Sequence, residues 1–240
     1  MQRSVSGVRN KQNTNPPETT MHTFDTPAPI TAVLDIPAGR IQLIAADRTD
    51  TTVEVTPTNP AKNRDIKTAE QTSIDYTDGV LTIHTTVKNQ VLGPSGSIQV
   101  TIQLPTGSQV NAKTAASELR GVGRLGNLTF TGAYRHIKID EAANLHLTAI
   151  DGDVEIGRLS GPAEVTTARG DITITEATHG KVELRTQYGD ITVTTATGVS
   201  ATLDAGTTYG RINNTLKNNG TPQLDIRATT SHGDITAHSL

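Results

Sequence analysis

The 240-residue sequence contains no cysteine and no tryptophan, and it has only two phenylalanines. The absence of cysteine excludes disulfides and thiolate metal sites, and it fits either redox compartment. A core with so few aromatic rings has to be filled by Val, Ile, Leu and Ala in thin layers. This composition favours an elongated β architecture.

Long apolar runs are also absent. No stretch approaches the roughly 20 residues that span a bilayer, and "MQRSVSGVRNKQNTNPPETT" lacks the apolar segment of a secretory signal. We therefore expect a cytoplasmic protein with no membrane insertion, with export by an unrecognised route as the alternative. Residues 1–23 are predicted to be a disordered leader, and Met21 is an alternative start to Met1.

The chain has no marked excess of charge. Its formal net charge is −3, which gives no electrostatic reason to expect a nucleic acid or an anionic membrane as a partner.

Alternating strands dominate what is present. Roughly one residue in six is Thr, a β-branched residue that favours strands. "TAVLDIPA", "RIQLIAA", "GVLTIHT" and "SIQVTIQLP" alternate apolar and polar residues with period two, the signature of half-buried strands. The stretch "NPAKNRDIKTAEQT", between Asn59 and Thr72, has mild helical character, and we expect an excursion loop there.

The second half of the chain repeats a short unit. "DGDVEI", "RGDITI", "YGDITV", "YGRINN" and "HGDITA" align on glycines that are 18, 19, 21 and 23 residues apart, and a second alternating strand lies between them. We interpret each glycine and the residue after it as a turn. These predicted turn pairs are Gly152-Asp153, Gly170-Asp171, Gly189-Asp190, Gly210-Arg211 and Gly233-Asp234.

Such short strand pairs can bury their apolar faces only by stacking. The sequence therefore predicts an all-β, single-domain parallel β-solenoid over residues 24–240, with coils of about 18–20 residues. Residues 24–106 form irregular N-terminal coils, and residues 107–240 form the regular repeats. The side chains expected to point inward are Val165, Ile172, Ile174, Val182, Leu184, Ile191 and Val193.

Several of these patterns resemble a known family. The Gly-Asp-Ile-Thr-Ile units, the "LPTG" at 104–107 and the "LDIPAGRIQLI" at 34–44 are similar to the bacterial putative adhesin family. These are β-strand-repeat proteins that carry a domain of unknown function. The resemblance covers roughly Phe24 to the C-terminus and implies a β-solenoid fold, whereas "adhesin" is a family label. Many members look anchored to an envelope by a membrane segment, and this sequence departs from them in that respect.

Arg169-Gly170-Asp171 spells an adhesion tripeptide. The residue before the glycine varies between repeats, however, while glycine-aspartate is what a tight corner requires. We therefore interpret the tripeptide as a corner of the repeat.

The aspartates of the repeats should align in a column. Stacking in chain order would place Arg211 between Asp190 and Asp234, where it would offset the repulsion between like charges. We interpret this column as turn hydrogen bonding with one neutralising cation. A weak divalent-ion ladder is the alternative.

No residue pattern points to a catalytic, cofactor or metal site. "GVGRLG" at 121–126 has the spelling of a dinucleotide fingerprint, but a strand follows where a helix is required. The seven histidines contain no His-Glu-x-x-His motif, and no nucleophile elbow is present. We therefore expect that the protein is not an enzyme.

One surface stands out at the repeat corners. Tyr188 and Tyr209 would lie on successive coils, flanked by Arg169 and His232, as an aromatic-cationic ledge. The alternative interpretation is that the tyrosines only cover the corner of the core.

We therefore expect a non-enzymatic β-solenoid scaffold that presents Thr-rich faces to a macromolecular partner, protein or glycan. The alternatives are an envelope or surface adhesin and, less favoured, a polysaccharide-acting enzyme. The last coil, "SHGDITAHSL", has no obvious polar cap, so its edge could mediate self-association.

Overall fold

A computed structural model of the chain describes residues 21–86, 96–132 and 136–240. The predicted all-β class is confirmed, because the described part folds into one 17-stranded mixed sheet with a single short helix. The elements are β1 (Met21–Asp25), β2 (Thr31–Ala46), β3 (Asp50–Pro57), α1 (Asn63–Glu70), β4 (Thr72–Thr77), β5 (Val80–Thr85), β6 (Ile98–Pro105), β7 (Gln109–Thr131), β8 (Ile137–Thr148), β9 (Val154–Leu159), β10 (Ala163–Thr166), β11 (Ile172–Ala177), β12 (Gly180–Tyr188), β13 (Ile191–Thr195), β14 (Ala201–Tyr209), β15 (Ile212–Thr215), β16 (Leu224–His232) and β17 (Ile235–Ser239).

The repeat strands pair in parallel along two rows. The first row runs β8–β9–β11–β13–β17–β15. The second row runs β8–β10–β12–β16–β14, so that β8 contributes one half to each row. Both rows continue beyond β8 through parallel pairing with β7, and β7 pairs in parallel with β2.

The order of the last two repeats does not follow the chain. Strands β16 and β17 lie between β12–β13 and β14–β15, so the expectation of stacking in chain order is wrong. The inward column of the first row explains the order, because it continues from Val193 to Ala237 and ends at Asn214. A buried amide without a partner is costly. The repeat that carries Asn214 therefore takes the exposed end, while the apolar C-terminal repeat lies inside.

The alternation pattern predicted the core correctly. All seven side chains expected to point inward are no more than 1% exposed. They belong to one continuous cluster of buried residues that draws on strands of both rows. The core consists almost entirely of aliphatic side chains, and Phe130 is its largest fully buried member.

One end of the sheet, which we call the closed end, is covered by antiparallel strands. Strand β3 pairs antiparallel with β6 and with β1, and β4 pairs antiparallel with β5. Phe24 of β1 packs on Tyr76 of β4 with ring centroids 5.3 Å apart, and both lie against the core. Met21–Thr23, expected to belong to the leader, form part of β1; residues 1–20 lie outside the described residues.

The expectation of a loop between Asn59 and Thr72 is wrong, because residues 63–70 form α1. A buried carboxylate fixes this helix. Asp65, only 3% exposed, accepts hydrogen bonds from the backbone N–H groups of Asn59 (3.2 Å) and Ser97 (3.1 Å).

No helix in the described ranges is long and apolar enough to cross a membrane.

The opposite end, which we call the open end, consists of β14 and β15. Within the described ranges, β14 pairs only with β16 and β15 pairs only with β17. The predicted free edge at residues 231–240 is therefore wrong, because β17 is paired on both sides, with β13 and β15.

Candidate functional site

The repeat corners stack so closely that glycine is required. Gly189 and Gly233 have φ angles of +151° and +148°, a region that favours glycine. A Cβ at Gly189 would lie 2.1 Å from the carbonyl oxygen of Gly170, and one at Gly233 would lie 2.0 Å from that of Gly189. Gly152 and Gly170 have similar φ angles of +125° and +121°. The φ angle of Gly210 is not in this region, but a Cβ added at Gly210 would lie 1.9 Å from the carbonyl oxygen of Gly233.

The aspartates that follow these glycines form a ladder of hydrogen bonds between neighbouring corners. One carboxylate oxygen of Asp153 accepts the backbone N–H of Asp171 at 2.9 Å. Asp171 accepts from Asp190, and Asp190 accepts from Asp234, both at 2.7 Å. Asp234 ends the ladder by accepting the N–H of Arg211 at 2.8 Å. Each carboxylate thus satisfies a donor of the next corner rather than of its own turn.

Arg211 is the terminal residue of this column, not an inner one as expected. Its Nη2 lies 2.7 Å from Asp234 Oδ2, and its Nε donates to the same oxygen at 3.1 Å. The hydrogen bond from Arg211 holds the pKa of Asp234 below its ordinary value and raises that of Arg211. The cation therefore neutralises the exposed end of the ladder.

Sequence reasoning missed a threonine column at the same corners. The hydroxyls of Thr186, Thr230 and Thr207 donate to the carbonyl oxygens of the neighbouring corner glycines, at 3.0 to 3.1 Å. The signal was present in the sequence, because Thr stands three residues before the glycine in "TQYGD", "TTYGR" and "TSHGD". In "TARGD" the equivalent Thr167 donates to the carbonyl oxygen of Arg169 in its own corner. The corner motif is therefore Thr-x-x-Gly followed by Asp or Arg.

The tripeptide Arg169-Gly170-Asp171 is held between two other corners. The N–H of Gly170 donates to the carbonyl of Tyr188, and the carbonyl of Arg169 accepts the N–H of Gly152. The Arg169 side chain is 71% exposed, with its Nη1 3.8 Å from Asp151 Oδ2. The tripeptide is thus tied into the sheet on both sides.

The residues before the corner glycines form an exposed aromatic stack. Tyr188 and Tyr209 are not on successive coils, as the sequence suggested, because His232 lies between them. Each tyrosine ring stacks on the imidazole with centroids 4.8 Å apart, at interplanar angles of 12° and 19°. Tyr188 is 52% and Tyr209 67% exposed. We call Tyr188, His232 and Tyr209 the ring stack.

Arg169 lies next to the ring stack rather than in it. Its backbone forms a bridge with Tyr188, which places it one strand away from the first ring. The structure thus brings all four predicted partner-binding residues into one outward column, in the order Arg169, Tyr188, His232, Tyr209.

The outward face of the first row has an uncharged stretch next to the open end. Thr173, Thr192 and Thr236 lie in register there, followed by Asn213. The rest of the first row carries paired charges, such as Lys138 and Glu155 at 2.6 Å, and so does the second row. Its outward groove, of about 500 Å³, contains a contact of 3.3 Å between His146 Nδ1 and Glu164 Oε2.

Other predicted features fall at ordinary structural positions. "GVGRLG" lies within β7, where the pairing with β8 shifts register between Gly121 and Arg124. Among residues 21–86, 96–132 and 136–240, no three His, Asp or Glu side chains come together as a metal site.

A family model described as Toastrack DUF4097 matches residues 33–239. No curated protein matches the chain.

Three solved structures match this chain over most of its length. A putative cell adhesion protein from Clostridium sporogenes is 13% identical, with 93% of this chain and 100% of that chain covered and a TM-score of 0.37. A putative adhesin from Bacteroides fragilis is 12% identical, with 92% and 97% covered and a TM-score of 0.44. A putative lipid binding protein from Parabacteroides distasonis is 11% identical, with 93% and 97% covered and a TM-score of 0.37.

Proposed function

From the premise that this chain belongs to the Toastrack DUF4097 family, we propose that it is a non-enzymatic β-solenoid scaffold that binds a macromolecular partner. The family assignment confirms the resemblance on which the sequence interpretation drew, and it leaves the function open. The proposal rests on the exposed ring stack.

The solenoid part of the proposal is supported by the pairing of the rows. Neighbouring repeats pair in parallel in both rows, and the buried residues of both rows form one cluster. This arrangement supports a solenoid, in which each coil would consist of one strand of each row with a glycine corner between them.

The ring stack supports binding because its geometry is fixed while its surface is exposed. Tyr188 and Tyr209 stack on the two faces of His232. Aromatic rings held by neighbours lose little conformational entropy when they bind, and tyrosine is enriched among the residues that dominate binding energy. The neighbouring Arg169 adds a cation, and the Thr-rich face of the first row offers hydroxyl groups for hydrogen bonds. We propose that the partner contacts this column.

The alternative interpretation, in which the tyrosines only cover the core, is not favoured by their exposure. A side chain whose role is to cover apolar surface becomes buried by doing so, yet both tyrosines are more than half exposed.

A photo-crosslinking experiment tests the proposal. We would place p-benzoylphenylalanine at Tyr188 and, as a matched control, at His146, which is similarly exposed at 54% in the charged groove. Irradiation of cells should give a defined adduct from position 188 that is absent from position 146. Loss of that adduct in a Tyr209→Ala background, with unchanged circular dichroism, would support the column. Identical adducts at both positions, or none at 188, would contradict it.

A surface adhesin that binds glycans is the second candidate, because aromatic faces flanked by a cation also stack on sugar rings. A glycan array probed with the purified protein separates the two candidates. Binding that depends on Tyr188 would favour the adhesin. Turnover of an acidic glycan would favour the third, enzymatic alternative and contradict the scaffold.

We also propose that the protein acts in the cytoplasm. Fractionation of native cells, with detection of the untagged protein, should recover it in the cytosol. Recovery at the envelope or in the medium would favour the adhesin.

A further inference from the structure

We propose that Asn219 is a site of spontaneous deamidation, at which the folded chain converts asparagine into aspartate and isoaspartate. The sequence contains a single Asn-Gly dipeptide, Asn219-Gly220, and it lies in the segment between β15 and β16. This inference does not depend on the proposed binding function. The segment contacts the start of β14 at Ala201, whereas Tyr209 of the ring stack is the last residue of that strand.

The reaction needs water as its only co-reactant. The backbone nitrogen of Gly220 loses its proton to hydroxide and attacks Cγ of Asn219, which closes a succinimide ring. The bond between Cγ and Nδ2 breaks, and ammonia leaves with a proton from water, which regenerates hydroxide. Water then opens the ring. Its attack at Cγ gives aspartate, and its attack at the backbone carbonyl carbon gives isoaspartate, in which the chain continues through Cβ.

Four asparagines of the described chain share the local turn in which this reaction would start. In each of them the side-chain Oδ1 accepts the backbone N–H two residues later, which is an Asx turn. The N–O distances are 2.8 to 3.0 Å, and the residues are Asn59, Asn214, Asn218 and Asn219. The turn alone therefore does not select one asparagine.

The residue that follows each turn asparagine selects the reactive one. Asn59 is followed by proline, which has no N–H to lose. Asn214 and Asn218 are followed by threonine and asparagine, whose side chains hinder the approach of the backbone nitrogen to Cγ. Asn219 is followed by glycine, which leaves the nitrogen unhindered. Both Asn219 and Gly220 are exposed, so hydroxide and water reach them.

Two hydrogen bonds to Asn219 Oδ1 favour the attack. The backbone N–H of Thr221 donates to this oxygen at 3.0 Å, and the Thr221 hydroxyl donates to it at 2.9 Å. Negative charge develops on Oδ1 when the nitrogen of Gly220 attacks Cγ. Donors that already point at such an oxygen stabilise the transition state.

One hydrogen bond opposes the attack. The N–H of Gly220 donates to Asn218 Oδ1 at 2.8 Å, so the nitrogen gives up this partner before it loses its proton. Asn218 and Gly220 are both exposed, and water replaces such a bond at small cost. The two neighbours of the reacting pair therefore act in opposite directions, Thr221 towards the reaction and Asn218 against it.

The modified residue lies on the segment that covers the start of β14. The N–H of Asn219 donates to Ser200 Oγ at 3.1 Å, and the Lys217 carbonyl accepts the N–H of Ala201 at 3.0 Å. Isoaspartate lengthens the backbone directly after Asn219, and both products replace a neutral amide by a carboxylate. The modified protein therefore gains a negative charge beside the first residue of β14.

Peptide mass mapping of the full, folded chain after incubation in mildly alkaline buffer tests the proposal. We expect acid to form at Asn219 at least about tenfold faster than at Asn214 or Asn218. Part of the product should be isoaspartate, detected with an isoaspartyl methyltransferase. Asn219→Gln is the control and should form no acid at position 219 over the same period. An Asn219 that stays intact, or acid that forms first at Asn214 or Asn218, would overturn the proposal.

Two variants test whether the folded structure controls the reaction. Thr221→Val removes a donor to Oδ1 and should slow it about fivefold, whereas Asn218→Ala frees the Gly220 N–H and should accelerate it by about the same factor. In urea, where the turns are lost, both variants should react at the wild-type rate. Equal rates for wild type and variants in the folded state would overturn the assignment to these turns, as would differences that persist in urea. Circular dichroism confirms that each variant is folded.

Discussion

The sheet is terminated differently at its closed and open ends, although the core has to be protected from solvent at both. At the closed end the chain reverses direction, and β1, β3 and β4 add antiparallel strands whose rings, Phe24 and Tyr76, cover the core. At the open end the parallel rows stop at β14 and β15, and the inward column ends with the exposed Asn214. Repeat proteins need terminal units that differ from the inner ones. This chain has a dedicated cap at the closed end, and at the open end it has a repeat of reduced apolarity.

The largest difference in the free energy of unfolding should appear between a methyl group added in β2, which lies between β6 and β7 next to the closed end, and one added at the open end. A Cβ at Gly39 would lie 1.7 Å from the Ile98 carbonyl oxygen, and its φ of +140° favours glycine. We expect Gly39→Ala to lower the free energy of unfolding by about 4 kcal/mol. Gly206→Ala at the open end meets no atom closer than 4.0 Å and should change it by less than about 1 kcal/mol. Urea unfolding measures both, and equal losses would contradict the comparison.

The second largest difference in the free energy of unfolding is expected when an apolar side chain is shortened at each end. Ile83 of β5 is fully buried, whereas Ile212 is 47% exposed. Ile83→Ala should cost about 3 kcal/mol because it leaves a cavity. Ile212→Ala should lower the free energy of unfolding by about 0.5 kcal/mol. A cost for Ile212→Ala as large as that for Ile83→Ala would show that the open end is packed like the interior.

The threonine column allows a finer test within the repeats. Thr230 is 6% exposed, and its hydroxyl donates to the Gly189 carbonyl, so we expect Thr230→Val to lower the free energy of unfolding by about 1 kcal/mol. Thr207 makes the equivalent bond at the open end but is only partly buried. Thr207→Val should therefore cost less than half as much in the same unfolding assay, and the reverse order would argue that β14 is not the edge.

The smallest expected effect concerns the pKa of Asp234. Arg211 lowers this pKa, so the ion pair stabilises the fold above the ordinary pKa of the carboxyl and is lost as the pH falls through the lowered value. Arg211→Gln should raise the pKa of Asp234 towards the ordinary value of an aspartate, measured by NMR titration of its carboxyl carbon. Arg169→Gln, remote from Asp234, is the control and should leave this pKa unchanged. An unaltered pKa in Arg211→Gln would contradict the pairing.

Much of the fold could be predicted because period-two alternation fixes which side chains are buried. Val182, Leu184, Ile191 and Val193 were placed correctly on this basis. The glycine spacing aligned the corners, because only glycine allows the close approach of stacked backbones. The all-β class followed from the same two signals.

The order of the repeats could not be predicted from that pattern. The units "YGDITV", "YGRINN" and "HGDITA" are so alike that β12 could accept either β14 or β16 as its neighbour. The order depends on single inward positions such as Asn214. Its amide would destabilise the fold if another repeat covered it, and it does so little at the exposed end. For the same reason the sequence identified Tyr188, Tyr209 and His232 but not the sandwich that they form.

Helix α1 was missed because local signals specify it weakly. Its eight residues have no side-chain N-cap, and isolated helices of this length are unstable in water. The helix depends on Asp65, whose partner Ser97 is remote in the sequence.

The order of the strands is the central claim, and disulfide trapping tests it directly because the chain has no cysteine. Thr192 is in register with Thr236, and Thr236 with Asn213. Adjacent strands lie about 4.8 Å apart and alternate ones about 10 Å, and a disulfide needs Cα atoms within roughly 7 Å. Under mild oxidation, Thr192→Cys/Thr236→Cys should form an intramolecular bridge, and Thr192→Cys/Asn213→Cys should not. The opposite result, read by peptide mass mapping, would restore stacking in chain order and contradict the open end described above.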